Sequence, residues 1–505
     1  MALGAKQAGL LQALQEICGK RVIADEAGRR VYEADGLTAK RQVPWIVVLP
    51  DTVVEVQQIM RLCHEAGIPV VARGAGTGLS GGAMPHSEGV LLSLARFNRI
   101  LEVDPDNLIA RVEPGVTNLA ISESVKDLGL FYAPDPSSQI ACTIGGNVAE
   151  NSGGVHCLKY GLTVHNVKKL KVISPTGELY EVGSAGFDSP GLDLLALLHG
   201  SEGMLGIVVE VTVQLIPLPS SIAVVLAAFS SVGQAAETVN TIISQGILPA
   251  GLEMMDKLAI EAAEAFVNVG YPLDAEAILI CELDGVEQEV EVQIQKLKII
   301  LEAQKAIQIR VATDLEERQQ LWLGRKAAFP AVGRLAPDYY CMDGTIPRSA
   351  LGSVLAEITA LSDTYGLKVA NVFHAGDGNL HPLILYDANK AGDIETAELF
   401  GAAILNLCIR VGGTITGEHG VGVEKIDQMC VQFSEDELTL FHGVKSAFDA
   451  QGILNPGKAV PTLSRCAEFG AMHVHTGQEF TGENASEDRG LVGLNAKKFA
   501  DLDRF

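Results

Sequence analysis

Arg73-Gly-Ala-Gly-Thr-Gly-Leu-Ser-Gly-Gly82 follows a short apolar run, Ile68-Pro-Val-Val-Ala72, and places five glycines in the nine positions 74–82. A loop that bare of side chains can turn its backbone N–H groups onto a pyrophosphate at close range. The stretch therefore points to a nucleotide cofactor. Gly76-x-Gly78-x-x-Gly81 also fits the dinucleotide fingerprint, with acids at Glu102 and Asp104 downstream. That fingerprint needs a helix to begin inside the loop. Here the chain continues Ala83-Met-Pro-His-Ser-Glu-Gly89, a turn composition, and enters a strand-like run at Val90–Leu94. The NAD(P) reading fails on this context.

Around the loop lies a chain of 505 residues, long enough for two or three domains, 48% apolar and 20% charged. Its formal net charge of −24 opposes a nucleic-acid role, because phosphate binding wants basic surface. Any anionic substrate must be met by local Arg or Lys. No apolar run approaches the length of a membrane span, and Met1-Ala-Leu-Gly-Ala-Lys6 lacks a secretory pattern. The expectation is a cytoplasmic chain, peripheral to the inner face of the membrane through a partner. Nine cysteines are scattered without a C-x-x-C pair, which argues against zinc ribbons and protein-ligated iron–sulfur clusters. Most read as reduced, buried small hydrophobes.

Working outward, residues 5–18 have the periodicity of an amphipathic helix and Pro44–Leu49 reads as a strand. Thr52-Val-Val-Glu55 is a capping-box pattern opening a helix that turns Val56, Ile59, Met60 and Cys63 inward and stops at Gly67. Strand, helix, strand and glycine loop make a βαβ unit. Strands follow at Ile100–Val103 and Ile109–Val112, with a helix near Thr117–Leu128. A second glycine-rich region holds Pro134-Asp-Pro-Ser-Ser138, Cys142-Thr-Ile-Gly-Gly-Asn147 and Asn151-Ser-Gly-Gly154, a composition in which helix is not expected to survive. A third, His199-Gly-Ser-Glu-Gly-Met-Leu-Gly-Ile207, precedes a strand at Val208–Leu215. Residues 221–370 alternate strands and helices without cofactor loops. A last helix near Glu435–Phe448 leads to Asp449–Lys458 and then a polar tail.

The three glycine-rich regions together resemble the FAD-binding domain of the vanillyl-alcohol-oxidase (PCMH-type) flavoproteins. His374-Ala-Gly-Asp-Gly-Asn-Leu-His381, Gly417-Glu-His-Gly-Val-Gly422 and Ile453-Leu-Asn-Pro-Gly-Lys458 narrow the resemblance to the D-2-hydroxyacid dehydrogenase branch. That branch includes D-lactate dehydrogenases and the FAD-linked subunit of bacterial glycolate oxidase. Trp322–Lys326 and Pro337–Pro347 are most similar to the glycolate oxidase members. The resemblance implies an α+β chain. An N-terminal helical segment (1–42) precedes a PCMH-type FAD-binding domain of two α/β subdomains (43–220). A substrate or cap domain (221–425) carries a mostly antiparallel sheet covered by helices. A C-terminal helix returns to the FAD domain (426–461), and a polar tail follows (462–505).

The resemblance also implies roles. Arg73, Gly74, Gly76, Thr77, Gly78, Leu79, Ser80 and Gly81 would cradle the FAD pyrophosphate. Pro134, Ser138, Thr143, Gly146, Asn147, Gly153 and Gly154 would line the flavin and its linker. Glu202, Gly206 and Ile207 would bound the adenine side, with Asn455 and Lys458 reaching back from the C-terminus. Some relatives attach flavin covalently through a histidine of the first loop. None lies between Arg73 and Gly82, and His86 falls beyond, so FAD is expected to be non-covalent.

Val372-Phe-His374 and His381-Pro-Leu-Ile read as the arms of a hairpin around Gly376-Asp-Gly-Asn379, which sets His374 opposite His381, close enough to share one ion. Glu418 can add a carboxylate. Two His and one carboxylate leave positions open for substrate. Two packed, hydrogen-bonded histidines are the alternative from the residues alone. Relatives place a divalent ion here, and Zn²⁺, Mn²⁺ or Fe²⁺ are compatible. A metal on hydroxyl and carboxylate lowers the hydroxyl pKa. His419 then fits the general base and Arg325 the substrate-carboxylate partner, the hydride passing to flavin N5. Relatives acting on larger diacids carry a polar residue near Phe329 and a lysine near Cys341, so this pocket suits a small monoacid. The reaction implied is glycolate to glyoxylate, with D-lactate to pyruvate as the alternative. The electrons would pass through an iron–sulfur subunit and a second FAD-domain-like subunit to a quinone. A non-redox metal hydrolase would leave the glycine loops unexplained.

Overall fold

The computed structural model describes residues 3–186, 191–462 and 465–466; the expected polar tail lies almost wholly outside them. Leu3–Cys18 is a helix whose Leu10, Leu14 and Cys18 pack on Ile59, Met60 and Cys63 of the helix Val53–Ala66. That second helix starts where Thr52 accepts the N–H of Glu55. The box expected there is not reciprocal, because the Glu55 carboxylate takes the Asp51 N–H and the Arg21 guanidinium instead. Gly67 closes the helix in the left-handed conformation.

The helix crosses between two strands of a four-stranded sheet, ordered Val22–Ile23, Ile46–Val48, Val90–Ser93, Val70–Arg73. The last three are parallel, and the strand leaving the glycine loop sits between the two of the βαβ unit. Covered on both faces, they read as continuous apolar runs. A second sheet, wholly antiparallel, orders Ile100–Asp104, Ile109–Val112, Ile207–Gln214, Val167–Ile173 and Leu179–Gly183.

The second glycine-rich region corrects the sequence expectation: Ile144–Glu150 is an α-helix. Its Gly145 is helix-weakening, but a Cβ there would lie 2.6 Å from Pro114 Cβ. Close packing on the neighbouring loop overrides propensity. Asn151, left-handed, ends the helix.

The C-terminal half is built on a seven-stranded antiparallel sheet, ordered Gln308–Val311, Ser221–Phe229, Ala277–Gly285, Gly251–Asp256, Val369–His374, Asn379–Tyr386 and Asp338–Cys341. Alternation sends Val225, Ala227 and Phe229 to one face, under Val232–Ser244, Glu287–Ala303, Leu351–Tyr365 and Asp393–Arg410. Val224, Leu226 and Ala228 face Lys257–Val267 and Leu315–Val332 on the other.

The hairpin register differs from the expected one. His374 opposes Asn379 and Val372 opposes His381, so the loop is Ala375–Gly378. The shift moves His381 by two positions, an even number, which keeps both imidazoles on one face. After the helix Glu435–Phe448 the chain returns to the first sheet, where Asn455 N–H donates to Val70. Cys430 and Cys466 form a disulfide, so the expectation of reduced thiols holds for the other seven, all buried, and not for this pair.

Candidate active site

One cavity of about 600 Å³ runs between the glycine loops and the seven-stranded sheet. Residues 72–79 wall one part, 135–152 and 198–208 others, and the opposite wall carries Arg325, Phe329, His374, His381, Glu418 and His419. The sequence candidates Arg73, Gly74, Gly76, Thr77, Gly78, Leu79, Ser138, Thr143, Gly146, Asn147, Glu202 and Gly206 all face it. Gly76 is left-handed (φ 72°) beneath the Arg73 guanidinium, which a Cβ would strike.

Ser80, Gly81, Pro134, Gly153, Gly154, Ile207, Asn455 and Lys458 are not on the wall. Several support it from behind. The Ser80 carbonyl accepts Val423 and Glu424 N–H. Asn455 Nδ2 donates to the carbonyls of Gly82 (3.0 Å) and Glu202 (2.6 Å). Lys458 Nζ donates to the carbonyls of Gly82 (3.0 Å) and Met84 and to Asn455 Oδ1. Burial in this nest of carbonyls lowers the Lys458 ammonium to about 8. Gly153 matters through closeness: a Cβ there would sit 2.6 Å from Glu418 Oε2.

His374, His381 and Glu418 converge so that one ligand atom of each lies within 4.8 Å of the others. Glu418 Oε1 is 3.0 Å from His381 Nε2 and 3.6 Å from His374 Nε2. His419 Nε2 is 3.6 Å from the same oxygen, its ring stacked on His381 with centroids 5.0 Å apart. Burial works to raise Glu418, yet its hydrogen bonds with His374 and His381 hold it far below the ordinary carboxylate range. Burial pushes His419 down to about 4, so its imidazole is neutral near pH 7. Glu418 Oε2, His419 Nδ1 and Thr143 Oγ1 are buried without a protein partner among the described residues. Orphaned acceptors of this kind call for an external partner. A divalent ion fits the His–His–Glu donor set, and a dinucleotide fits the glycine cradle.

A family model for the FAD linked oxidases, C-terminal domain, matches residues 218–459, and one for an FAD binding domain matches residues 44–183. The chain is 59% identical to the glycolate oxidase subunit GlcD of Escherichia coli (strain K12), over 93% of this chain and 94% of that protein. It belongs to the FAD-linked oxidases. A D-lactate dehydrogenase of Anaerostipes hadrus is 32% identical over 89% of this chain and 96% of its own. The fold matches p-cresol methylhydroxylase with substrate bound at a TM-score of 0.77 and 16% identity, covering 91% of this chain and 98% of that one. That is the PCMH-type architecture, and FAD is the cofactor of the family.

Within this FAD-linked oxidase, Arg325 is not the solvated helix charge that its sequence setting allows. It is buried on the helix Leu315–Val332, with Nε and Nη2 donating to Glu253 Oε2 at 2.8 and 2.7 Å. The other oxygen of Glu253 meets His374 Nδ1 at 2.7 Å. Although burial opposes it, the Glu253 carboxylate raises His374 well above the usual imidazole value.

Sequence reasoning missed Glu253, and it missed Asp343 and Lys425. Asp343 and Lys425 are wholly buried and paired at 3.1 Å. Asp343 also receives the N–H groups of Gly417, Glu418 and His419, fixing the loop that carries Glu418 and His419. Glu202 reaches from the third glycine region to the N–H groups of Val421 (2.7 Å) and Gly422 (2.8 Å). Phe329 stands against His381, ring centroids 6.3 Å apart, leaving an apolar wall beside the imidazoles.

Proposed function

We propose that this chain oxidises a small D-2-hydroxy acid, glycolate to glyoxylate, at the wall where Arg325, His374, His381, Glu418 and His419 face the glycine-loop cavity. The single observation that carries this reading is that the base, the ligand set and the cofactor cradle share one cavity. When bound, FAD supplies the two-electron acceptor for the Cα hydride, and a divalent ion held by His374, His381 and Glu418 supplies a Lewis acid for the substrate hydroxyl and carboxylate. His419, neutral and on the same wall, takes the hydroxyl proton. Arg325 offers the carboxylate its Nη1 side, since Glu253 engages the Nε–Nη2 edge. The contact expected of Arg325 with the substrate carboxylate is thereby confined to one edge of the guanidinium. Phe329 and the buried Cys341 put no charge beside the substrate's far end, which favours a monoacid.

The domain division supporting this reading assigns residues 43–220 to the cofactor and 221–425 to the substrate. FAD is held without a covalent bond. The E. coli relative is named as a subunit, and the chain's scattered cysteines provide no cluster of their own. We assign onward electron transfer to an iron–sulfur subunit and a second FAD-domain-like subunit, with quinone as final acceptor. No described helix is long and apolar enough to cross a membrane. The proposed place is the cytoplasm, at the inner face of the membrane through those subunits. Dye-reduction rates of the purified chain with glycolate and D-lactate side by side test the substrate. A higher kcat/KM for D-lactate would replace the first reading with the second, which is supported by a 32% identical D-lactate dehydrogenase where the first is supported by a 59% identical glycolate oxidase subunit. Metal analysis and loss of turnover on chelator treatment test the ion.

A further inference from the structure

We propose that Glu253 is a positioning residue that ties the arginine meeting the substrate carboxylate to a histidine of the metal set, so that the two sites sense one another. The inference rests on the roles proposed above for Arg325 and His374. Glu253 is 1% exposed and lies on Gly251–Asp256, directly opposite His374 in the antiparallel ladder. Its two oxygens are divided: Oε1 takes His374 Nδ1 at 2.7 Å, and Oε2 takes Arg325 Nε and Nη2 at 2.8 and 2.7 Å.

The first contact fixes a tautomer. With Nδ1–H given to Glu253, Nε2 is the ring nitrogen of His374 that faces Glu418 Oε1 at 3.6 Å and the ligand group, and a bound ion would take the place of its proton. A ligating histidine needs such a partner behind it to set ring orientation and basicity. The second contact draws a guanidinium from the helix Leu315–Val332 to the cavity wall. Because one carboxylate serves both, an anion docking on Arg325 and a cation on His374 bias the same group. Linkage requires the effect to be reciprocal.

Glu253→Gln separates these roles. An amide turned to give its oxygen to Arg325 faces His374 Nδ1 with NH₂. The imidazole must then carry its proton on Nε2, where the lone pair was needed. A metal-stripped, FAD-loaded chain titrated with Mn²⁺ or Zn²⁺ against a chelating dye should show Kd for the ion raised about 10–100-fold, the usual cost of losing such a partner. FAD content should stay at the wild-type ratio. At saturating ion kcat should recover to within a few-fold of wild type, while KM for glycolate stays raised because a neutral amide oxygen holds Arg325 less firmly than the carboxylate does.

An unchanged metal Kd in Glu253→Gln overturns the proposal. If that variant takes up no FAD and so does not fold, Glu253→Asp decides. It keeps the charge but is one methylene too short to span both partners, so a raised Kd supports the inference and a wild-type Kd overturns it. A wild-type chain that binds no divalent ion overturns the metal reading itself, and this inference with it.

Discussion

The backbone N–H of His419 donates to Asp343 Oδ2 at 2.8 Å, and the same carboxylate pairs with Lys425 in a fully buried setting. A loop of glycines, Gly417 to Gly422, has little side-chain packing to hold it. Its position near the cavity is set by main-chain donors gathered on one anion, two residues beyond the strand Asp338–Cys341, and by Glu202 from the cofactor side. Asp343→Asn breaks the closer of the two carboxylate contacts of Lys425, leaving only Glu424 Oε2 at 3.8 Å, and a broken buried pair costs about 3–5 kcal/mol. Thermal denaturation should show a markedly lower Tm together with reduced metal content. Although burial acts to raise Asp343, the Lys425 ammonium beside it holds the carboxyl below its ordinary range. Its contribution to stability is therefore present above the ordinary carboxylate pKa and is lost as pH falls through the depressed value. Wild type should keep that contribution in mild acid, and Asp343→Asn should lack it throughout.

Lys458 does not touch the cavity, yet it should govern FAD affinity. Its ammonium holds the carbonyls of Gly82 and Met84, directing the end of the glycine loop. Hydrogen bonds from a charged donor contribute about 1.5–3 kcal/mol each. Lys458→Met should raise the FAD Kd by about tenfold or more, tenfold being about 1.4 kcal/mol. Burial places the ammonium at about 8. An anionic cofactor favours the protonated form, so wild-type FAD affinity should fall as pH rises through about 8 and be flatter in Lys458→Met. Flavin fluorescence titrations across that range measure both, and identical pH profiles would show that Lys458 plays no such part.

Local period and punctuation made part of the fold legible in the sequence. The glycine loop after an apolar strand, the helix between Thr52 and Gly67 and the last helix at Glu435–Phe448 each carry local signals and form where those signals place them. The hairpin register was ambiguous by two residues because either of two glycine-containing tetrapeptides can serve as its loop, but parity kept His374 and His381 together. Ile144–Glu150 was hidden because Gly145 answers to Pro114, across the structure. Glu253 and Asp343 were hidden for the same reason: their partners lie 121 and 76 residues away. The one local hint at Glu253 is an acid between Leu252 and Met254 in a strand buried on both faces.

FAD should leave the denatured protein. No histidine lies on residues 73–82, and His86 is absent from the cavity wall, its Nδ1 taken by the N–H of Glu88 at 3.2 Å. Acid precipitation should give a colourless pellet and a supernatant with the full complement of flavin absorbance. Yellow colour retained in the pellet would mean a covalent link through some other side chain.

His419→Ala isolates the base from its scaffold. The loop is held by the backbone N–H of residue 419 and by its neighbours' N–H groups, all of which alanine keeps. Glu418 also retains its contacts with His374 and His381, so the ligand set stays assembled. Only the imidazole is lost, and with it the proposed acceptor for the substrate hydroxyl proton. General-base contributions of this kind amount to about 10²–10⁴ in rate. Stopped-flow reduction of the bound flavin by glycolate should slow by that factor, with FAD content, metal content and Tm near wild type. A near-normal reduction rate in this variant would remove His419 from the role and move the search for the base to another group on the same wall.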